Sequence, residues 1–166
     1  MVQADAHRAQ KNGEPVFEVH ASSVVRASLR QAWGVLTDYE RLPEFVPDLV
    51  SSQLISRTRC EAIIEQRSKA GFLFLSRPVH LKLRIVEQPF SSIDVSLLAG
   101  DMKHYSARWE LEPVSQHGLE GTRISFASTL EPDFFMPPLI GATIVQVNVR
   151  KMVEAVATQI ERRGAH

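Results

Sequence analysis

PPLIGATIVQVNVRKMVEAVATQIERR, residues 137–163, closes the chain with a pattern that a long helix satisfies. Val145, Val149, Met152, Val156 and Ile160 follow at steps of four, three, four and four, the spacing of one apolar stripe on an α-helix. Ile140, Ile144, Val147 and Val153 widen that stripe, while Asn148, Arg150, Lys151, Glu154, Thr158 and Glu161 take the far side. The spacing predicts a helix over about 139–163, roughly 37 Å long at ~1.5 Å per residue. Pro137 and Pro138 suit its entrance, because the first helical N–H groups need no intrahelical partner. Arg162 and Arg163 complement the dipole at its end, and Gly164 stops it. Such a face must be buried against another layer, and the preceding residues supply one.

From about 48 to 130 the period is two. Alternation predicts strands at about 49–57, 60–69, 72–76, 79–87, 92–98, 103–112 and 121–130. Turn signals separate them at Ala70-Gly71, Gln88-Pro89, Ala99-Gly100-Asp101 and Pro113 through Gly121. Leu81, Leu83 and Ile85 share one face; so do Tyr105, Ala107, Trp109 and Leu111, and likewise Ile124, Phe126, Ser128 and Leu130. A further strand at about 16–25 directs Phe17, Val19, Ala21, Ser23 and Val25 inward. Ser28 then caps a short helix carrying Leu29, Trp33 and Leu36. In DYERLPEFVPD, residues 38–48, two prolines limit any helix to a turn or two. Residues 1–14 show no period and read as a flexible N-terminal tail before a single domain over 15–166. The order predicts an α+β plan: a curved antiparallel sheet of about seven strands covered by a long C-terminal helix.

Composition narrows the function. The chain has 166 residues, a length near that of one domain, and about 70% of its unfolded surface can be buried. Nineteen Lys+Arg against nineteen Asp+Glu leave no net charge, which argues against a protein that coats nucleic acid by neutralising phosphates. A single cysteine, Cys60, excludes an internal disulfide framework and any multi-cysteine metal site. It is expected to be a buried structural thiol on a strand. No apolar run reaches the ~18 residues of a membrane span, and the polar start has no secretory signal, so a cytoplasmic protein is expected.

Two further stretches resemble a known group. AWGVLTDYERLPEFVPDLVSSQLI, 32–55, is similar to the entry segment of START-like (SRPBCC, Bet v 1-like) polyketide cyclase/dehydrase and coenzyme Q-binding (Coq10-type) proteins. There a helix with an aromatic residue runs into a Pro-x-Phe-x-Pro loop. Trp33, Leu36, Asp38, Tyr39, Pro43, Phe45 and Pro47 match that pattern. LLAGDMKHYSARWELEP, 97–113, resembles the group's Gly-Asp turn and its strand ending Trp-x-Leu. Val46-Pro47-Asp48-Leu49 lacks the Trp-Cys pair that follows the second proline in the coenzyme Q branch, so the resemblance is better to the broader cyclase and lipid-transport group. It implies a helix-grip fold that binds lipids, polyketides, sterols or isoprenoid quinones in an apolar pocket, with a few members catalysing cyclisation and others described as ribosome-associated toxins.

On that resemblance, Leu83, Tyr105, Trp109 and Phe126 from the sheet and Val149, Met152 and Val156 from the helix are candidate ligand-binding residues, with Phe45, Phe72 and Phe74 at the mouth. Periodicity alone does not separate a cavity wall from a filled core. Residues 38–48, with Tyr39, Phe45 and Val46 as apolar surface to close over a ligand or touch a membrane, are one candidate door, and the 131–138 segment with FFMPP is the other; Phe45 and Val46 equally suit a plug at the sheet's end. His20, His80 and His104 fall on solvent faces, and no metal-ligand spacing occurs, so no cofactor or metal is expected. Arg84 and Arg108 lie opposite the apolar residues of their strands, and Asp38 and Asp101 read as cap and turn residues. Three classes stay open: a carrier, a cyclase-type enzyme, and an interaction module whose basic face would draw on Arg57, Arg59, Arg67, Lys82 and Arg84.

Overall fold

A computed structural model describes residues 2–69, 78–116, 118–136 and 139–164. Eight strands form one antiparallel sheet: β1 (Gln3–Lys11), β2 (Glu14–Val25), β3 (Leu49–Arg57), β4 (Glu61–Ser68), β5 (Val79–Gln88), β6 (Ser92–Gly100), β7 (Met102–Gln116) and β8 (Leu119–Pro132). Their spatial order is β1-β2-β8-β7-β6-β5-β4-β3. Between β2 and β3 lie α1 (Leu29–Leu36) and a 3-10 turn (Tyr39–Glu44), and α2 (Gly141–Gly164) ends the chain. The predicted strand at 72–76 and the Pro137-Pro138 entrance lie outside the described residues.

The tail reading is corrected. Gln3–Lys11 pairs with β2 along its whole length, from Gln3 opposite Ser22 to Lys11 opposite Glu14. The hairpin turns on Asn12 (φ 54) and Gly13 (φ 81), the Asn-Gly pair whose positive φ values match the twist of two-residue hairpins. Local alternation missed β1 because its inward side is built from small residues. Val2 is buried and Ala4 and Ala6 pack against the core, while the Gln146 side chain on α2 donates to the Ala4 carbonyl at 2.7 Å.

α1 starts as expected. The Ser28 hydroxyl accepts from the Gln31 N–H and the Gln31 side chain accepts from the Ser28 N–H, a reciprocal capping box. On α2, Val145, Val149, Val153, Val156, Ala157 and Ile160 are buried, each contributing about 1.5–3 kcal/mol for the larger side chains. Ile140 and Val147, expected on this stripe, are exposed; α2 seats on β1, β2 and α1, and that arc leaves both outside. Gly141 lets the first turn approach β2, since a Cβ there would stand 2.9 Å from the Phe17 ring.

The sheet curls through register shifts in β3–β4, β5–β6 and β7–β8, where bulges bend the strands. Gly100 sits at one such corner with φ 133, pressed on the His80 carbonyl, and the Asp101 side chain accepts from the His80 N–H at 2.8 Å. This explains the Gly-Asp turn physically. Because α2 lies on the β1–β2 side, the inward faces of β4 to β7 curve past it at a distance. No described helix is long and apolar enough to cross a membrane.

Candidate functional site

The inward rows of β4 to β8 and α2 leave a partly open space between them. One cavity of about 120 Å³ is lined by Ile64 and Gln66 (β4), Leu83 and Ile85 (β5), Ile93 and Val95 (β6), Tyr105, Ala107 and Trp109 (β7), Phe126 (β8) and Met152 and Val156 (α2). Leu36, Tyr39, Leu42, Val46 and Leu49 close it from α1, the 3-10 turn and the start of β3. A smaller cavity of about 60 Å³ adjoins it, sharing Gln66, Tyr105, Phe126 and Met152 and adding Ser68, Leu81, Ser128, Leu130 and Val149. It lies toward the end of the sheet where β4 and β8 finish and α2 begins. Trp109 and Phe126 form a tilted ring pair, 4.9 Å between centroids at 56°.

Seven of the residues expected at a pocket therefore line the two adjoining cavities: Leu83, Tyr105, Trp109, Phe126, Met152 and Val156 the larger, and Val149 the smaller. Phe45 does not join them; it lies in an outer groove beside Pro47, Lys151, Glu154 and Thr158. Phe72 and Phe74 lie outside the described residues. Gln66 was missed, although a signal existed. Ala62, Ile64, Gln66 and Ser68 alternate on the inward side of β4, and Gln66 pairs in register with the inward Leu81.

Burial pushes the Tyr105 phenol up to about 12, with the Ser128 hydroxyl partly opposing the shift. Ser128 itself donates to the Ser106 carbonyl at 2.9 Å. The Gln66 amide donates to the Ser52 hydroxyl at 3.3 Å.

A second polar cluster, not foreseen, backs the cavity. Glu87 is only 4% exposed and receives both terminal nitrogens of Arg57, at 2.8 and 2.7 Å, and the Tyr39 hydroxyl. Burial opposes the Glu87 charge, but the bonds from Arg57 and Tyr39 outweigh it and hold this carboxyl below its ordinary range. Burial and the same carboxylate raise the Tyr39 phenol well above its ordinary range. Hydrogen bonding to Glu87 likewise raises Arg57. Tyr39 is thus not loose apolar surface on a door: its ring lines the cavity and its hydroxyl ties the 3-10 turn to β5.

Other expectations resolve locally. Cys60 is exposed, in the turn between β3 and β4 rather than in the core. Asp38 makes no capping bond and instead faces Arg163 at 3.5 Å and Arg41 at 3.8 Å. Arg84 pairs with Glu61, and Arg108 pairs with Asp94 at 2.8 Å and Glu110 at 3.1 Å on the outer face. Among the described residues, no three His, Cys, Asp or Glu side chains gather in a metal-binding group.

Comparison with known proteins places this geometry. The family model for polyketide cyclase / dehydrase and lipid transport matches residues 25–157. No curated protein matches by sequence. Among solved structures, a START superfamily protein from Mycobacterium smegmatis superposes with a TM-score of 0.74 at 13% identity, over 88% of this chain and 98% of that one. The Zhui aromatase/cyclase from Streptomyces sp. R1128 gives 0.69 at 13%, over 98% and 96%. A STAR-related lipid transfer protein from Xanthomonas axonopodis (fragment 25–204) gives 0.70 at 15%, over 95% and 93%. At these identities the likeness is one of fold: a long C-terminal helix gripped by a curved antiparallel sheet.

Proposed function

The chain belongs to the polyketide cyclase / dehydrase and lipid transport family, and on that premise we propose that it reversibly binds a small hydrophobic molecule between the sheet and α2, as a carrier. The observation that supports this is the apolar cavity between the two layers, with Leu83, Tyr105, Trp109, Phe126, Met152 and Val156 as its walls. A guest there gains about 25 cal/mol per Å² of apolar surface removed from water. A dry cavity of about 150 Å³ takes a benzene-sized molecule, so the space at hand suits one ring or a short acyl segment. A lipid, an isoprenoid quinone or a polyketide-like aromatic enters further by displacing flexible Met152, whose unbranched side chain adapts to varied guests.

The door is the described stretch 133–136 ahead of α2. Phe135 is 80% exposed and Leu139 95% exposed, beside the end where the smaller cavity lies, and this apolar tip is also the point of transient membrane contact. The 39–44 turn, by contrast, is held by the Tyr39–Glu87 bond.

Carriage is favoured over catalysis by the chemistry of the walls. Among the described lining residues there is no carboxylate, imidazole, amine or guanidinium. A phenol held near 12 is poorly matched to proton transfer at neutral pH. An interaction module is disfavoured because two members of its supposed basic face, Arg57 and Arg84, are neutralised by Glu87 and Glu61.

The test is native mass spectrometry of the chain purified from its own cells, beside a Met152→Trp variant that fills both cavities. The expected result is a retained hydrophobic mass, released by organic solvent and lost in the variant while the fold persists. A clean mass, together with no thermal stabilisation by any hydrophobic compound, would overturn the proposal.

A further inference from the structure

We infer that the guest of this cavity is an uncharged aromatic molecule carrying a hydroxyl or carbonyl group, held by Tyr105 and Gln66, and that a carboxylate of the same shape is refused. The inference rests on the carrier reading and narrows it to a ligand class. Its ground is the placement of polar atoms. Tyr105 and Gln66 are common to both cavities, so two hydrogen-bonding side chains face the volume that the cavities share, and apolar side chains dominate around them. Gln66 uses one amide N–H on Ser52; an amide carries a second N–H and two carbonyl lone pairs, which remain for a guest. Ser128 has committed its proton to the Ser106 carbonyl, so the Tyr105 hydroxyl has its own proton and lone pairs to offer a guest. A phenol or aryl ketone satisfies such groups, while its ring lies against the Trp109–Phe126 pair.

A carboxylate finds nothing comparable. Among the described residues lining either cavity none is cationic. The nearest argument for a counter-charge is Arg57, behind Tyr39, and both of its terminal nitrogens are already on Glu87. A buried anion without a partner is strongly disfavoured.

The experiment uses three probes of matched size at neutral pH: toluene, p-cresol and p-toluate. Binding is read by NMR from the indole N–H of Trp109, with Trp33 as internal reference because it packs on Phe90 instead, 5.8 Å between rings. Toluene and p-cresol should shift Trp109 and leave Trp33 unmoved. Affinity for p-cresol should exceed that for toluene by about three- to tenfold, the effect of one or two net hydrogen bonds. Binding of p-toluate should be weaker than that of toluene by about tenfold or more. Tyr105→Phe should narrow the gap between p-cresol and toluene, and adding Gln66→Leu should abolish it. Equal affinity for p-toluate and p-cresol would overturn the inference while leaving the carrier reading intact; so would indifference of p-cresol to both substitutions in variants that keep their Tm. Silence from all three probes would overturn the inference, and the carrier reading falls with it only if the native mass is clean and no hydrophobic compound raises the Tm.

Discussion

Replacing Glu87 with glutamine probes the buried cluster that anchors the cavity's rim. The carboxylate accepts three bonds, two from Arg57 and one from Tyr39. An amide of the same size keeps one acceptor oxygen and turns an NH2 group onto donors. Arg57 has a side chain 38% exposed, so it rehydrates, and its share is that of a surface pair, about 0.5–1 kcal/mol. Tyr39 is buried at 5% exposure, and its bond to a charged acceptor contributes about 1.5–3 kcal/mol. The expected loss is about 3 kcal/mol, a Tm fall of roughly 6–12 °C for a domain of this size. Acidity supplies a second signature. Folding holds the Glu87 carboxyl below its ordinary value of 4.5, so its stabilisation is present above that value and is lost as pH falls through the lower folded value. The gap between wild type and Glu87→Gln should therefore narrow on acidification. Urea titrations followed by tryptophan fluorescence, at neutral pH and at about pH 3, measure both effects. In a double-mutant cycle with Tyr39→Phe, the combined loss should fall short of the sum, because the two changes remove one shared bond. A neutral-pH gap below about 0.5 kcal/mol, or one unchanged by acid, would refute this account.

Gly100→Ala should cost more than about 2 kcal/mol by thermal melting, since its backbone sits at φ 133 and a Cβ would stand 2.2 Å from the His80 carbonyl. Removing residues 1–11 strips β1 from the sheet and parts Gln146 from Ala4, so the truncated chain should melt lower and self-associate through the uncovered β2 edge; an unchanged Tm would restore the tail reading. Cys60 is exposed and should react with a thiol reagent in the native state, to one equivalent per chain, whereas a core thiol would react only on unfolding.

Much of this architecture was legible along the chain, for a definable reason. Alternation and helical spacing report which side of an element is apolar. That placed Leu83, Tyr105, Trp109 and Phe126 on inward faces and Val149, Met152 and Val156 on the stripe of α2, and the structure brings these residues around one space. β1 escaped because small residues on an edge strand carry little apolar contrast, although Asn12-Gly13 marked its turn. Glu87 escaped because a carboxylate near a strand end reads as solvent-facing, and its partners lie 30 and 48 residues away. Gln66 stood in an inward row, but nothing local says that it faces the same cavities as Tyr105.

The sequence by itself determined the layers: a sheet with one apolar face, a helix with one apolar stripe, and hence their mutual burial. Only the tertiary structure decided where they part, because α2 seats on β1 and β2 while β4 to β7 curve past it. It also decided which inward polar groups are spent on each other and which face the cavity. Hydrophobic period is a property of neighbours a few residues apart; an enclosed volume and a satisfied hydrogen bond are set by residues brought together from distant parts of the chain.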